Sequence, residues 1–187
     1  MKAKGLENQQ KIVQSAADLF YQKGYNQTSF TEIANASGLP RGNFYYYFKT
    51  KDDILKAVVD ARVEAIRGMI EQWQTLDKPP KQRLNLLLDL VLNEADDIVD
   101  HGCPLGTLSA ELGKDQRLLQ EKTLEMFDLL VSWVVDAFQA LGCDEPYELG
   151  LHIMGRLQGI SVMTHLYQNK PFLETEIQAL KAWVDQL

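Results

Sequence analysis

The residues best suited to chemistry form one short segment near the N-terminus, GLPRGNFYYYFKTKDD, at positions 38–53. The phenol groups of Tyr45, Tyr46 and Tyr47 can donate hydrogen bonds to phosphate oxygens, and the lysines beside them supply positive charge. Arg41 can reach either a guanine edge or a phosphate. This set of groups indicates that the segment binds a nucleic acid.

The same aromatic run has an alternative interpretation, in which all five rings belong to the core. Helical spacing makes this partly correct, because Phe44 and Phe48 are four residues apart and can pack inward together. Tyr46 and Tyr47 then point elsewhere, and we predict that at least one of them contacts DNA. Tyr45 stays open between the two roles, since its ring can pack while its hydroxyl binds DNA.

Charge is distributed unevenly along the chain. The net charge is −7, yet residues 1–51 contain seven Lys or Arg and three Asp or Glu, a balance of +4. The remaining 136 residues therefore carry −11. A basic N-terminal part on an acidic body would steer an anionic partner to the aromatic segment.

The aromatic segment lies within a predicted set of three helices. We predict one at about 7–23, a short one from Thr28 or Ser29 to Gly38, and a third at 41–48. Two short helices joined by a glycine-containing turn are typical of a helix-turn-helix, whose second helix enters the major groove of DNA. Helical pairs of this kind are also common in bundles. The helix-turn-helix interpretation therefore depends on the aromatic and basic residue types of the segment.

The rest of the chain shows helical periodicity and no convincing strand. The sequence therefore predicts an all-α protein of about nine helices. Beyond the first three, the predicted helices span about residues 51–73, 80–100, 105–112, 115–140, 146–168 and 172–186.

The stretch TSFTEIANASGLPRGNFYYYFKTKDDIL, positions 28–55, closely resembles the DNA-binding signature of the TetR/AcrR family of bacterial transcriptional regulators. The matching elements are Thr28, Ile33-Ala34, Gly38-Leu39-Pro40, Gly42, Phe44-Tyr45, Phe48, Lys51 and Leu55. The resemblance implies an N-terminal three-helix helix-turn-helix domain, residues 1–50 and extending to about 65. It also implies a C-terminal helical ligand-binding and dimerisation domain, residues 51–187, in which the last two long helices build a homodimer.

Carried onto this sequence, the resemblance and the residue types together predict a set of DNA contacts. Thr31 can contact a phosphate or be solvated, and Asn43 can read adenine or be merely exposed. Because Arg41 stands at a variable position of the family, the operator sequence is not predicted. The predicted DNA-binding residues are Thr28, Thr31, Arg41, Gly42, Asn43, Tyr45, Tyr46, Tyr47, Lys49 and Lys51.

The C-terminal helices supply candidates for a ligand pocket and a dimer interface. Aromatic and methionine side chains suit apolar ligands, although ordinary core packing is the alternative for each. A helix that is apolar on nearly all sides, as 146–168 is, must be buried on all sides, which a two-fold dimer would provide. The predicted pocket residues are Trp73, Cys103, Met126, Phe127, Trp133, Met154 and Met163. The predicted dimer residues are Leu149, Ile153, Leu157, Ile160 and Trp183.

A thiol sensor is the alternative form of regulation. Cys103 precedes a predicted helix at Pro104, and a helix N-terminus lowers the pKa of a thiol, with His101 nearby. The alternative is that Cys103 is a small buried apolar residue with no chemical role. Cys143 has acidic neighbours and is the weaker candidate. An enzyme built on Cys103 lacks a third catalytic group or an oxyanion loop, so we expect no enzymatic activity.

These observations converge on a cytoplasmic bacterial transcriptional regulator. We expect a repressor that binds a palindromic double-stranded DNA operator as a homodimer and leaves it when an unknown small-molecule effector binds. Activation instead of repression is not excluded by the residues. His152 and His165 are 13 positions apart, which fits no metal motif, and no cofactor or membrane partner is expected.

Overall fold

The computed structural model of the protein describes residues 2–112 and 117–187, and within these residues the secondary structure consists of ten α-helices. The all-α prediction is confirmed. The helices are α1 Lys2–Lys23, α2 Phe30–Ala36, α3 Arg41–Tyr47, α4 Lys51–Gln74, α5 Pro80–Asn93, α6 Ala95–His101, α7 Pro104–Leu112, α8 Arg117–Ala140, α9 Pro146–Tyr167 and α10 Lys170–Gln186.

Two features of the helices differ from the sequence prediction by more than two residues. Helix α1 starts five residues before the predicted residue 7. The single helix predicted at 80–100 is two helices, because the backbone of Glu94, with φ −94° and ψ 11°, departs from α-helical geometry between α5 and α6. Counting these two as one bent helix gives the predicted total of nine.

The chain divides into two compact units. The N-terminal unit comprises Met1–Ala65 and Thr107–Leu124, and the C-terminal unit comprises Ile66–Gly106 and Glu125–Leu187. Helices α4, α7 and α8 each contain residues of both units. The functional division near residues 50–65 therefore stays a prediction, and the compact N-terminal unit also includes a later part of the chain.

The N-terminal unit is organised around a core from α1 to α4. Ile12, Ala16 and Phe20 follow one another at four-residue spacing on α1 and are buried. Helix α2 begins with a capping box, in which the Ser29 hydroxyl accepts from the Glu32 N–H at 3.1 Å and the Glu32 carboxylate accepts from the Ser29 N–H at 2.8 Å. These two bonds satisfy free N–H groups at the helix start and fix where α2 begins.

The C-terminal unit is a bundle in which α10 packs against α5, α6 and α9. Helix α10 presents a buried stripe of Leu173, Ile177, Leu180 and Val184, all without solvent exposure, at the spacing expected of one helix face. Phe138 of α8 is equally buried. In the part of the chain that the structure describes, every helix is too short or too polar to cross a membrane.

Candidate DNA-binding surface

The turn between α2 and α3 is set by Gly38 and Pro40. Gly38 has φ +64°, a left-handed conformation that glycine adopts without strain. Pro40 is the N-cap of α3, and its carbonyl accepts the N–H groups of Asn43 and Phe44 at 2.9 and 3.1 Å. Since proline cannot continue α2, this pair separates the two helices sharply.

Two phenylalanines anchor α3 to the N-terminal unit. Phe44 is fully buried and its ring lies 5.0 Å from that of Phe30 in an edge-on arrangement, while Phe48 is 5% exposed. The prediction that Phe44 and Phe48 pack inward together is therefore confirmed. Because both rings are on one side of α3, the opposite side is left to polar groups.

The three tyrosines divide between packing and exposure. Tyr45 is 47% exposed, with its ring 5.5 Å from that of Phe30, whereas Tyr46 is 77% exposed. Tyr47 is half-buried, and its hydroxyl accepts a 3.4 Å hydrogen bond from the side-chain amide of Asn8 on α1. Asn8 is a contact that sequence reasoning missed, because nothing local links residues 39 positions apart. Tyr46 is thus the phenol most open to a partner.

Other predicted contacts lie on the surface of α2 and α3 or just after α3. Thr31, Gly42 and Asn43 are exposed on these helices, and Lys49 is exposed after α3, with its ammonium donating to the Tyr45 carbonyl. A Cβ added at Gly42 would meet nothing within 4 Å, so packing within the chain does not require glycine there. The backbone of Arg41 begins α3, but its side chain lies outside the described part of the structure.

Thr28 and Lys51 have internal roles, which corrects their prediction as DNA contacts. Thr28 is buried, and its hydroxyl donates to the carbonyl of Gly24 at 2.8 Å. The Lys51 ammonium donates to the carbonyls of Tyr25 and Thr28 at 2.9 and 3.0 Å. Both polar groups are thus bonded to the protein's own backbone, which gives each a structural role.

The predicted pocket residues all belong to the C-terminal unit but do not share one environment. Met126, Trp133 and Met154 are buried, whereas Trp73, Cys103 and Phe127 are half-buried. The rings of Trp73 and Trp133 lie 5.6 Å apart, and the indole Nε1 of Trp133 is buried without a hydrogen-bond partner. Met163 is 42% exposed on α9, unlike Met126 and Met154, and its role in a pocket stays a prediction.

Helix α9 has an exposed apolar face that differs from the predicted one. Ile153, Leu157 and Ile160 are buried inside their own protomer and are not available to a second copy, while Leu149 and Trp183 are half-buried. The sequence could not distinguish the faces because both are apolar. The exposed face carries Tyr147, Leu151, Gly155, Gly159, Val162 and Leu166.

The glycines of α9 mark the same two faces. A Cβ on Gly150 would lie 2.8 Å from a methyl group of Val135 on α8, so the two helices approach closely there. At Gly155 and Gly159 a Cβ would meet nothing within 4 Å. The buried glycine thus has a packing reason within the chain, and the exposed pair has none.

Cys103 is half-buried immediately before α7. Its Sγ accepts hydrogen bonds from the backbone N–H of Gly106 and from the side-chain amide of Gln158, both at 3.4 Å. Both donors belong to the C-terminal unit, as Cys103 does. The second donor lies 55 positions away and was not foreseen from the sequence.

A turn-linked pair of short helices, with buried aromatic anchors and exposed polar side chains, defines a helix-turn-helix DNA-binding protein. Residues 12–58 match the family described as bacterial regulatory proteins, tetR family. A transcriptional regulator from the lacX 3′ region of Lactococcus lactis subsp. lactis is 26% identical over 177 residues, which cover 92% of this chain and 90% of the relative. The regulator AcrR of Shigella flexneri is 31% identical over 52% of this chain and 45% of its own.

The fold is shared along the full length with a TetR transcriptional regulator from Chloroflexus aurantiacus. That crystal structure has a TM-score of 0.85 and 24% identity, and the match covers 100% of this chain and 98% of the other. Residues 12–58 thus match the tetR family of bacterial regulatory proteins, and the chain as a whole is similar to transcriptional regulators of the TetR/AcrR family.

Proposed function

We propose that the protein is a transcriptional repressor that binds a palindromic operator as a homodimer and is released by a small-molecule effector. The observation that supports the proposal is the exposed side of α2 and α3, where Thr31, Asn43 and Tyr46 are open to a partner. Lys49, just after α3, is also exposed, and its ammonium donates to the Tyr45 carbonyl. Phosphate contacts from the phenol and the ammonium would fix the helix on the duplex, and Asn43 would reach a base edge.

The exposed face of α9 supports the homodimer. Val162 and Leu166 are 61% and 68% exposed. A two-fold axis across this face would cover the same apolar residues on both copies and present two recognition helices to one palindrome. Leu166→Glu should halve the mass measured by light scattering at micromolar concentration, whereas Leu76→Glu, at an exposed leucine outside α9, should leave it unchanged. A Leu166→Glu protein with the wild-type mass would exclude this interface.

The buried Trp133 indole N–H supports an effector site in the C-terminal unit. A polar group without a partner inside a protein is costly, and a bound acceptor would satisfy it. An effector that binds preferentially to the conformation with low DNA affinity would release the repressor. Trp133→Phe should leave operator affinity intact and weaken the response to effector.

Operator binding can be tested without knowing the operator. Wild-type protein is used to select duplexes from a randomised library, and affinity for the selected sequence is measured by fluorescence anisotropy. We expect a palindromic consensus. Tyr46→Phe should weaken binding about fivefold through one lost hydrogen bond. Lys49→Ala should reduce the slope of log K against log salt by about 1.

The matched control is Tyr167→Phe, which removes a phenol from α9 that is 67% exposed, compared with 77% for Tyr46. It should bind the selected duplex like the wild type. Failure of the wild type to enrich any sequence would refute the repressor proposal, and equal affinity of Tyr46→Phe and wild type would remove Tyr46 from the contact surface.

Thiol sensing by Cys103 is a second candidate, favoured by the two N–H groups directed at its Sγ. The thiolate is the form of cysteine that attacks electrophiles. Treatment with N-ethylmaleimide should modify Cys103 and release the selected duplex, and Cys103→Ser should abolish the release. Release that instead requires Cys143 would reject this candidate.

A further inference from the structure

The carboxylate of Glu111, near the end of α7, lies against the turn that follows α1. Its Oε2 accepts a hydrogen bond from the backbone N–H of Tyr25 at 2.6 Å. A Cβ on Gly24 would lie 3.2 Å from Cδ of Glu111 and closer still to Oε1. Glycine at position 24, which has φ +85°, therefore makes room for the carboxylate as well as ending α1.

This turn, residues 24–28, connects most of what positions the DNA-binding helices. The carbonyls of Tyr25 and Thr28 hold the ammonium of Lys51, the first residue of α4. Ser29, the N-cap of α2, comes directly after the turn. Restraining the Tyr25 amide thus restrains the start of α2 and the start of α4 together.

Glu111 is distant from this turn in sequence, since the bonded residues are 86 positions apart. It belongs to Thr107–Leu124, the later segment of the N-terminal unit. Tyr25 is only 6% exposed. The carboxylate of α7 therefore accepts the N–H of a buried residue, and a buried N–H costs free energy when it has no acceptor.

We propose that Glu111 is a positioning residue for operator binding: through the Tyr25 amide it holds the 24–28 turn, and with it α2, in the arrangement that fits DNA. The inference rests on the proposed function, because it requires operator recognition by α2 and α3. It gives α7, which lies outside the helix-turn-helix, a defined part in DNA affinity.

The test compares Glu111→Ala, Glu111→Gln and Glu111→Asp with the wild type on the duplex selected by the wild-type protein. Alanine removes the acceptor and should lower operator affinity about tenfold, while binding to a scrambled duplex stays unchanged. Glutamine keeps a side-chain oxygen at the same distance from the backbone, so Glu111→Gln should have wild-type affinity. Aspartate withdraws the oxygen by one methylene and should weaken binding. Glu121→Ala, at an exposed glutamate of the same unit, is the matched control.

Hydrogen exchange provides a readout at the bond itself. The Tyr25 amide should exchange faster in Glu111→Ala and at the wild-type rate in Glu111→Gln. Circular dichroism at the assay temperature identifies the variants that are folded, and if Glu111→Ala is not, Glu111→Asp decides. Wild-type operator affinity in the folded Ala or Asp variant would overturn the inference and leave the repressor proposal standing. Equal loss on operator and scrambled duplex would also overturn it, since that result indicates general destabilisation. A wild-type protein that selects no duplex would instead refute the proposed function.

Discussion

The ammonium of Lys51 lies over the ring of Tyr25, with Nζ 4.1 Å from the ring centroid and 2.9 Å from the carbonyl oxygen of the same residue. A single tyrosine thus holds the lysine with both its side chain and its backbone. The Tyr25 hydroxyl also donates to Asp52, which follows the lysine in α4. Lysine at the start of α4 is explained by this contact, without a phosphate.

Replacing Lys51 should therefore affect stability more than DNA recognition. Lys51→Gln should lose about 1–3 kcal/mol of unfolding free energy, because two backbone carbonyls lose a charged donor. Urea unfolding followed by circular dichroism measures this loss. The slope of log K against log salt should stay at its wild-type value, and a fall of about 1 would mean that Lys51 contacts a phosphate after all.

Acid should weaken the start of α2 through Glu32. The hydrogen bond from the Ser29 N–H, followed by that from the Lys23 ammonium, lowers the pKa of Glu32 from 4.5 to about 2. Since the folded state binds this proton less tightly than the unfolded state, the stabilisation is complete above pH 4.5 and is lost as the pH falls towards about 2. Glu32→Gln should be less stable than wild type at pH 7, and the two should converge near pH 2 in urea titrations.

Replacing Gly42 should change stability and DNA affinity in opposite directions. Gly42→Ala introduces a methyl group that meets nothing in the chain and should stabilise α3 by about 0.5–1 kcal/mol. The same methyl group would obstruct close approach of the α3 backbone to the duplex, so affinity for the selected operator should fall. Gly68→Ala, at an equally unobstructed glycine within α4, should gain stability without losing affinity. A Gly42→Ala protein with improved stability and unchanged affinity would place the duplex away from this residue.

Substitutions at the buried and at the exposed aromatic residues of α3 should have opposite effects on stability and on operator binding. Phe44→Ala removes a fully buried ring and should destabilise the protein by about 3–5 kcal/mol. Tyr46→Ala removes a largely exposed ring and should change stability by less than about 0.5 kcal/mol while weakening operator binding. Thermal unfolding and anisotropy on the same samples measure both. Comparable destabilisation by the two substitutions would show that Tyr46 also packs.

How far the sequence determines these features depends on the range of the interaction. The partition of Phe44 and Phe48 from Tyr46 follows from helical spacing alone, and Ser29 with Glu32 is a local capping pattern, so the start of α2 and the buried side of α3 were predictable. Thr28 was predicted as a DNA contact because it begins the stretch that resembles the family's DNA-binding signature. Its actual partner, the carbonyl of Gly24, depends on how the turn closes.

The errors on α9 have a different origin. When both sides of a helix are apolar, periodicity gives no preferred direction, and Ile153 was as reasonable an interface residue as Leu151. The contacts of Glu111 with Tyr25 and of Gln158 with Cys103 join residues 86 and 55 positions apart. No spacing rule reaches across such separations, so only the folded chain identifies these pairs.

The three glycines of α9 also determine which substitutions the helix should tolerate. At Gly150, selection for a folded protomer is enough to reject larger residues, because the Val135 methyl group occupies the space. At Gly155 and Gly159 an added Cβ would meet nothing within 4 Å in the isolated protomer. In a saturation-mutagenesis screen scored by repression in cells, intolerance at these two positions would therefore report a neighbour that belongs to another molecule.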